Sequence, residues 1–485
     1  MALDGNGRVK ESYTHSIGLT KIMDNEKSIR RTAVIIAIAS GLILPFMASS
    51  VNIALPLIGK EFDLNAVQMG WILMAFLLPS TAFLLPLGRL SDIAGRKKMF
   101  ITGMMSYSIV TSLIAVLPGN IALLIMLRAF QGLTASMIFV TGVTILISIF
   151  PPSERGKILG INTACVYLGL SLGPPFGGML AHYFSWRSVF LVTAVLGFFL
   201  ALYVPLKLKS EWADAKGESF DFKGSVIYIL SFSAMFIGLS MIPKISGFIL
   251  APIGIIALII FIVYENKKSF PILKTDIFKK NKAFTMAITS ALINYSATFG
   301  VAFLMSLYLQ NVKGFTAFHA GQIMLVQPIV QTICSLFSGR LADRKNPQSI
   351  ASAGMAITAL GLIMLIFVQK GTPLPYIVAA LSALGIGFGV FSSPNTTAAM
   401  NAAEKKYFGV ASSLLSTMRL SGQIVSMGIA MVVFSFITKG AVITAENGGL
   451  FLQSMKVILI IFAFLCFIGI FLKTRKKQYI LAHVD

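Results

Sequence analysis

Fourteen apolar runs of about 20 residues follow one another along this chain, each long enough to cross the hydrocarbon core of a bilayer as a helix. They begin near Val34, Val67, Met99, Ile121, Gly156, Trp186, Phe222, Gly247, Phe284, Ala317, Ser349, Pro375, Phe408 and Gln453. Hydrocarbon holds no water to pair a free backbone N–H or C=O, so such runs are stable only as packed helices. The expected fold class is an all-α polytopic membrane protein. Composition closes off a soluble domain, since 56% of the residues are hydrophobic and 12% charged. About thirty residues precede the first run; they are polar and mixed in charge, without the apolar core of a cleaved signal. The first run is expected to insert as its own signal.

A net charge of +22 suits a nucleic acid or a membrane surface, and the placement of the cations decides for the membrane. They sit in alternate loops. An even number of spans puts both termini on one side, and the termini with the even-numbered loops hold most of the excess. The positive-inside rule then places both termini and the loop Gly88 to Lys98 in the cytoplasm, with the chain in the cell membrane. Anionic lipid headgroups account for the rest of the bias, and no nucleic-acid partner is expected. The three cysteines, Cys165, Cys334 and Cys466, lie in apolar runs with no CxxC spacing or neighbouring histidine, so neither a disulfide framework nor a metal site is expected. No GxxxxGK[ST] loop marks an ATP-driven pump. Without a cluster of acids, histidines or nucleophiles at depth, no catalytic residues and no cofactor are expected either.

The chain reads as duplicated. Gly88-Arg89-Leu90-Ser91-Asp92-Ile93-Ala94-Gly95-Arg96-Lys97-Lys98 follows the second span, and Gly339-Arg340-Leu341-Ala342-Asp343-Arg344-Lys345 repeats its core after the tenth. Likewise Glu404-Lys405-Lys406-Tyr407-Phe408-Gly409 echoes the stretch from Glu154 to Gly160. Between the copies, spans seven and eight are flanked by a linker from Lys207 to Lys223, four cations against four anions, and a basic loop from Glu265 to Lys282. The organisation is then a tail at 1–32, a six-helix half at 33–206, a linker with two extra spans at 207–282, a second six-helix half at 283–473 and a tail at 474–485. Two homologous halves with substrate between them make a transporter architecture.

Polar residues within the spans mark the candidate pathway. Span one runs through Met47-Ala48-Ser49-Ser50-Val51-Asn52 to Pro56, read as a helix-ending proline. Arg128 lies inside span four and Arg419 inside span thirteen, where a cation is expensive and is expected to face protein or a wet cavity. Gly169, Gly173 and Gly177, spaced by four, make a groove on span five, and with Pro174, Pro175 and Gly178 they suggest a hinge. Gly385, Gly387 and Gly389 precede Pro394 in what reads as a broken helix. A cavity between the halves is expected to be lined by Met47, Ser50, Asn52, Gln131, Tyr167, Tyr295, Gln327, Asn395 and Arg419.

These motifs resemble those of the major facilitator superfamily, in particular its fourteen-span drug/proton antiporter branch, over roughly Thr32 to Lys476. The loop from Gly88 to Lys98 is similar to the signature between helices two and three. Leu127-Arg128-x-x-Gln131-Gly132 is similar to the helix-four signature, and Gly169-x-x-x-Gly173-Pro174-x-x-Gly177-Gly178 to the antiporter signature of helix five. Trp186-Arg187 with Phe190, and Asp221-Phe222-x-Gly224, also fit this branch. The resemblance implies a major facilitator fold whose conformational gate involves Gly88, Arg89, Asp92, Gly95 and Arg96, with Gly339, Arg340 and Asp343 as their copies. It implies that Asp92 faces the start of a helix in the opposite half, that Arg128 serves proton coupling, and that the helix-five motif serves export.

One departure alters the substrate expected. Exporters of cationic drugs commonly carry an acid in span one, where this chain has Met47, and its acids fall in termini, loops or span ends. With Arg128 and Arg419 inside, neutral or anionic amphiphiles become favoured substrates. The reading is proton-gradient-driven efflux of small amphiphilic compounds by alternating access, with lipid and protons as the other partners and a monomer sufficient. The alternatives are a facilitator or exporter without proton coupling, and a non-transporting receptor on the same fold.

Overall fold

A computed structural model of the chain describes residues 11–117, 119–268, 272, 281–403, 408–443 and 448–471. In the first half the helices are α1 (Glu11–Glu61), α2 (Ala66–Ala82), α3 (Leu84–Ala94), α4 (Arg96–Val116), α5 (Ile121–Ile149), α6 (Pro152–Tyr183) and α7 (Trp186–Lys207). The linking pair is α8 (Phe222–Met241) and α9 (Ile245–Glu265). The second half holds α10 (Lys282–Leu307) with a π turn at Tyr308–Val312, then α11 (Ala317–Met324), α12 (Val326–Ala342), α13 (Pro347–Ile366), α14 (Leu374–Ala402), α15 (Phe408–Thr438) and α16 (Gly448–Ile470). Among the described residues thirteen helices are long and apolar enough to span a membrane, and α2 with α3, bent by 45°, adds a fourteenth when counted as one span. The bend falls where Pro86 has no N–H to offer the carbonyl of Ala82, four residues back.

The two halves pack by the same rule. In the first, α1 lies against α5, α6 and α7, α5 against α2 and α4, and α4 against α7. In the second, α10 lies against α14, α15 and α16, α14 against α12 and α13, and α13 against α16. Span for span these are the same pairings, so the duplication read from the loops extends to the packing. The halves meet where α2 touches α15, α6 touches α11 and α1 touches α10, and α8 rests beside that seam on α2 and α15. Along the linking pair, a Cβ at Gly238 or Gly254 would strike the backbone of Ala251 or Met235, so this contact is made backbone to backbone. The outer face of α9 exposes Ile249, Ile253, Ile256 and Ile260, an apolar stripe suited to lipid.

Three expectations change. Pro56 does not end the first helix, which continues to Glu61, and α14 runs unbroken through Pro394. A proline in a membrane helix is tolerated when neighbouring groups pair the freed carbonyl. The helix α1 also begins at Glu11, inside the segment expected to be a tail. The rest of that tail (1–10), the C-terminal tail (474–485) and the echo at 404–407 lie outside the described residues.

Candidate functional site

On α6 the seam is sealed towards one end of the bundle, and the same face of the helix is exposed towards the other. We call the end that carries the Gly88 to Lys98 loop the motif end, and the opposite one the far end. On α6, Gly169, Gly173 and Gly177 face α1, where a Cβ would collide with the backbone of Leu42 or the side chains of Ser49 and Ser50. Ser50 Oγ donates to the carbonyl of Gly173 (3.1 Å), fastening this contact. Gly178 faces the opposite half: a Cβ there would enter the carbonyl of Ala317, and one at Gly321 would enter that of Pro174. Around this reciprocal fit, Gln310 Nε2 donates to the Ile53 carbonyl (3.0 Å) and the Tyr183 and Phe318 rings lie 5.9 Å apart. The helical repeat puts Gly160, Ala164, Tyr167, Pro174 and Gly178 on one face of α6. That face is sealed at Gly178, yet Ala164 and Gly160 are exposed and a Cβ at Gly160 would meet nothing within 4 Å.

Between these ends the two halves share a polar and aromatic cluster. Tyr167, from α6, reaches across the seam to Ser392 Oγ on α14 (3.0 Å) and accepts from Ser335 Oγ on α12 (3.5 Å). Arg419 Nη2, from α15, donates to Thr396 Oγ1 (2.6 Å), and its guanidinium carbon lies 5.7 Å from the centre of the Tyr295 ring on α10. Phe388 meets Tyr295 edge on at 5.2 Å. Of the residues predicted to line a cavity, Tyr167, Tyr295 and Arg419 come together here.

The others are placed differently. Met47 is buried and its sulfur accepts from Thr193 Oγ1 (3.4 Å), so it belongs to the packing of α1 on α7. Gln131 is buried with Arg128 inside the first half. Asn52 Nδ2 donates to the Ala48 carbonyl (3.1 Å), while Gln327 is half-buried on the first turn of α12. Asn395 lines a cavity of about 10 Å³ within the second half, beside Ser290, Gln348 and Phe391, which is the size of one water.

Arg128 is sealed in, with 2% of its surface exposed. Its Nε donates to the Ile72 carbonyl (3.1 Å) and its Nη1 to Gln131 Oε1 (2.6 Å), and Gln131 Nε2 donates onward to Thr111 Oγ1 (2.8 Å). The Phe76 ring lies 4.7 Å from the guanidinium carbon. A buried cation without an acid is tolerable here because a carbonyl, an amide oxygen and a π face replace water.

At the motif end the linker folds back over the loop. Gly95 turns the chain at φ 113°, a conformation that favours glycine, and a Cβ there would lie 2.6 Å from the Glu211 carboxyl carbon. Glu211 accepts from the backbone N–H of Lys97 (2.8 Å) and of Lys98 (3.1 Å), capping the start of α4. Arg96 pairs with Asp92 (2.7 Å) and Asp214 (2.8 Å), Arg89 pairs with Glu218, and the Ala215 N–H binds the Asp92 carbonyl (3.0 Å). Among the described residues Arg96, one turn on, takes the Asp92 carboxylate; the segment 404–407, which leads into α15 in the opposite half, lies outside them. In the second copy Gly339 packs on Ser393, but Arg340 and Asp343 are exposed and make no ion pair among the described residues.

Residues 37–427 match the profile of the Major Facilitator Superfamily, most of the chain and both halves. The chain belongs to this superfamily. Among its relatives, the riboflavin transporter RibZ of Clostridioides difficile is 30% identical over 391 residues, 80% of this chain and 84% of that protein. The multidrug resistance protein Stp of Mycobacterium tuberculosis is 28% identical, with 83% and 76% covered, and the multidrug efflux pump LfrA of Mycolicibacterium smegmatis 27%, with 79% and 76%. A major facilitator protein is an integral membrane transporter and not an enzyme. Sequence reading missed Gly321, Thr396 and the linker acids Glu211, Asp214 and Glu218; the four-to-four charge balance of the linker was the one available sign of its docking. Asp221, singled out in the sequence by its resemblance alone, accepts from the Gly224 N–H (2.9 Å) and caps the start of α8.

Proposed function

We propose that this major facilitator protein exports small neutral or anionic amphiphiles across the cell membrane in exchange for protons, as a monomer with both termini and the motif end in the cytoplasm. The observation that carries the reading is the single face of α6, sealed against α11 at Gly178 and uncovered at Gly160, with a polar cluster between. Alternating access requires such a seam, closed at one end at a time around a central site. The relatives named for drug resistance, drug efflux and riboflavin transport support small organic substrates. The charge preference follows from Arg419, since the buried acid among the described residues, Glu265, stands at the end of α9 away from the cluster. That same lack of a seam acid favours a facilitator as the second reading.

Proteoliposomes with a trapped pH dye and an imposed gradient separate the two. Neutral and anionic amphiphiles are expected to evoke proton movement that disappears in Arg128→Ala, while cationic ones evoke little. Substrate that equilibrates while protons stay still would establish the facilitator and remove the antiport reading.

A further inference from the structure

We infer that Arg419 is a substrate-recognition residue that binds the anionic group of a planar aromatic compound, a carboxylate or a phosphate; the inference rests on the transport reading above. The two arginines within the spans differ in kind. Arg128 is enclosed in the first half with its guanidinium paired to a carbonyl and an amide. Arg419 is half-buried on the second half's side of the seam, and only its Nη2 has a hydrogen-bond partner among the described residues. Its Nε is buried and unpaired. A guanidinium offers five N–H donors in a planar fork matched to two oxygens of one anion, so most of this fork is unused.

The surroundings aim it. Thr396 Oγ1 gives its own proton to the Ser392 carbonyl (2.8 Å), leaving a lone pair to receive Arg419 Nη2 and fix the guanidinium. One turn along α15, Gly422 lets that helix close on α10, since a Cβ there would lie 2.5 Å from the Leu292 carbonyl and 2.9 Å from Tyr295 Cβ. This close approach brings Arg419 over the Tyr295 ring, which Phe388 braces edge on. Tyr167, held at Ser392, supplies a hydroxyl from the first half. The set is a cation with free donors, an aromatic wall and hydroxyls from both sides of the seam. It matches a flat ring bearing an anion, and it repels a cationic ligand because no acid among the described residues pairs with the arginine.

The test uses two pairs of probes that share a ring and differ in charge: flavin mononucleotide with riboflavin, and naphthoate with naphthamide. Binding to the purified full chain is read from probe fluorescence, and counterflow of all four is measured in vesicles. The parent is expected to bind the anionic member of each pair about tenfold tighter or more, as one charge-assisted fork contact provides. Arg419→Gln is expected to erase that ratio and Arg419→Lys to keep part of it, with thermal melts of the purified variants at the parent's midpoint showing that both are folded. A ratio that survives in Arg419→Gln, a parent without charge preference, or a parent that binds neither anion would overturn the inference. Counterflow of the neutral members in the parent reports on the transport reading separately.

Discussion

Valine at Gly178 or Gly321 is expected to prevent the far end from closing and to stop transport. Each glycine stands where a Cβ would enter a backbone carbonyl of the opposite half, Ala317 in one case and Pro174 in the other. Backbone cannot step aside as a flexible side chain does, so the helices α6 and α11 must separate. Overpacking a tight contact costs about 1–3 kcal/mol, which shifts a two-state equilibrium by roughly five- to 150-fold against the closed form. With both sites changed, the closed state is expected to vanish. Substrate counterflow should fall to background while the variants still fold, since each half keeps its own packing. An impermeant maleimide reports the cause: Gln310→Cys, at the seam, should label slowly in an otherwise cysteine-free parent and rapidly in the glycine variants. Slow labelling and normal counterflow in the double variant would show that the seam does not depend on these contacts.

At Arg128 the conservative replacement is expected to be the more damaging one. Arg128→Lys keeps a charge inside the first half, but a single ammonium cannot serve the Ile72 carbonyl and the Gln131 amide together, nor lie flat on Phe76. An uncompensated buried charge costs about 3–5 kcal/mol. Arg128→Met removes the charge with its desolvation penalty and fills similar space, leaving Gln131 Oε1 short of a donor at a cost of about 1–3 kcal/mol. Thermal melts of the purified proteins are therefore expected to rank parent, Met variant and Lys variant from most to least stable, and both variants should lose substrate-evoked proton flux. A lysine variant as stable as the parent would mean that the fork is not what satisfies this site.

The sequence made the fold legible because its strongest pattern, apolar length, is also the strongest constraint on a chain in a bilayer. The repeated loop at Gly339 then announced a duplication that the packing carries through helix by helix. Which side of each helix faces the seam was harder to read. Met47 and Gln131 are polar or adaptable residues in helices that are apolar nearly all round, and nothing local distinguishes a cavity-facing position from one turned towards α7 or α4. Gly178 was legible as one of a cluster, whereas Gly321, which fits against the same α6 segment, stands alone in its helix and carried no signal. Pro56 and Pro394 misled because local rules end helices there, while tertiary packing continues them. The docking of Glu211, Asp214 and Glu218 is likewise a matter of tertiary distance, more than a hundred residues from the loop in the case of Lys97 and Lys98.

The central claim is that substrate passes only when the far end of the seam opens. It is tested most directly by Tyr183→Cys with Phe318→Cys, at positions whose rings lie 5.9 Å apart across the closed end, joined by a short cleavable bismaleimide in vesicles. Counterflow is expected to stop on cross-linking and return when the linker is cut. Flux that continues through the locked protein would contradict the account.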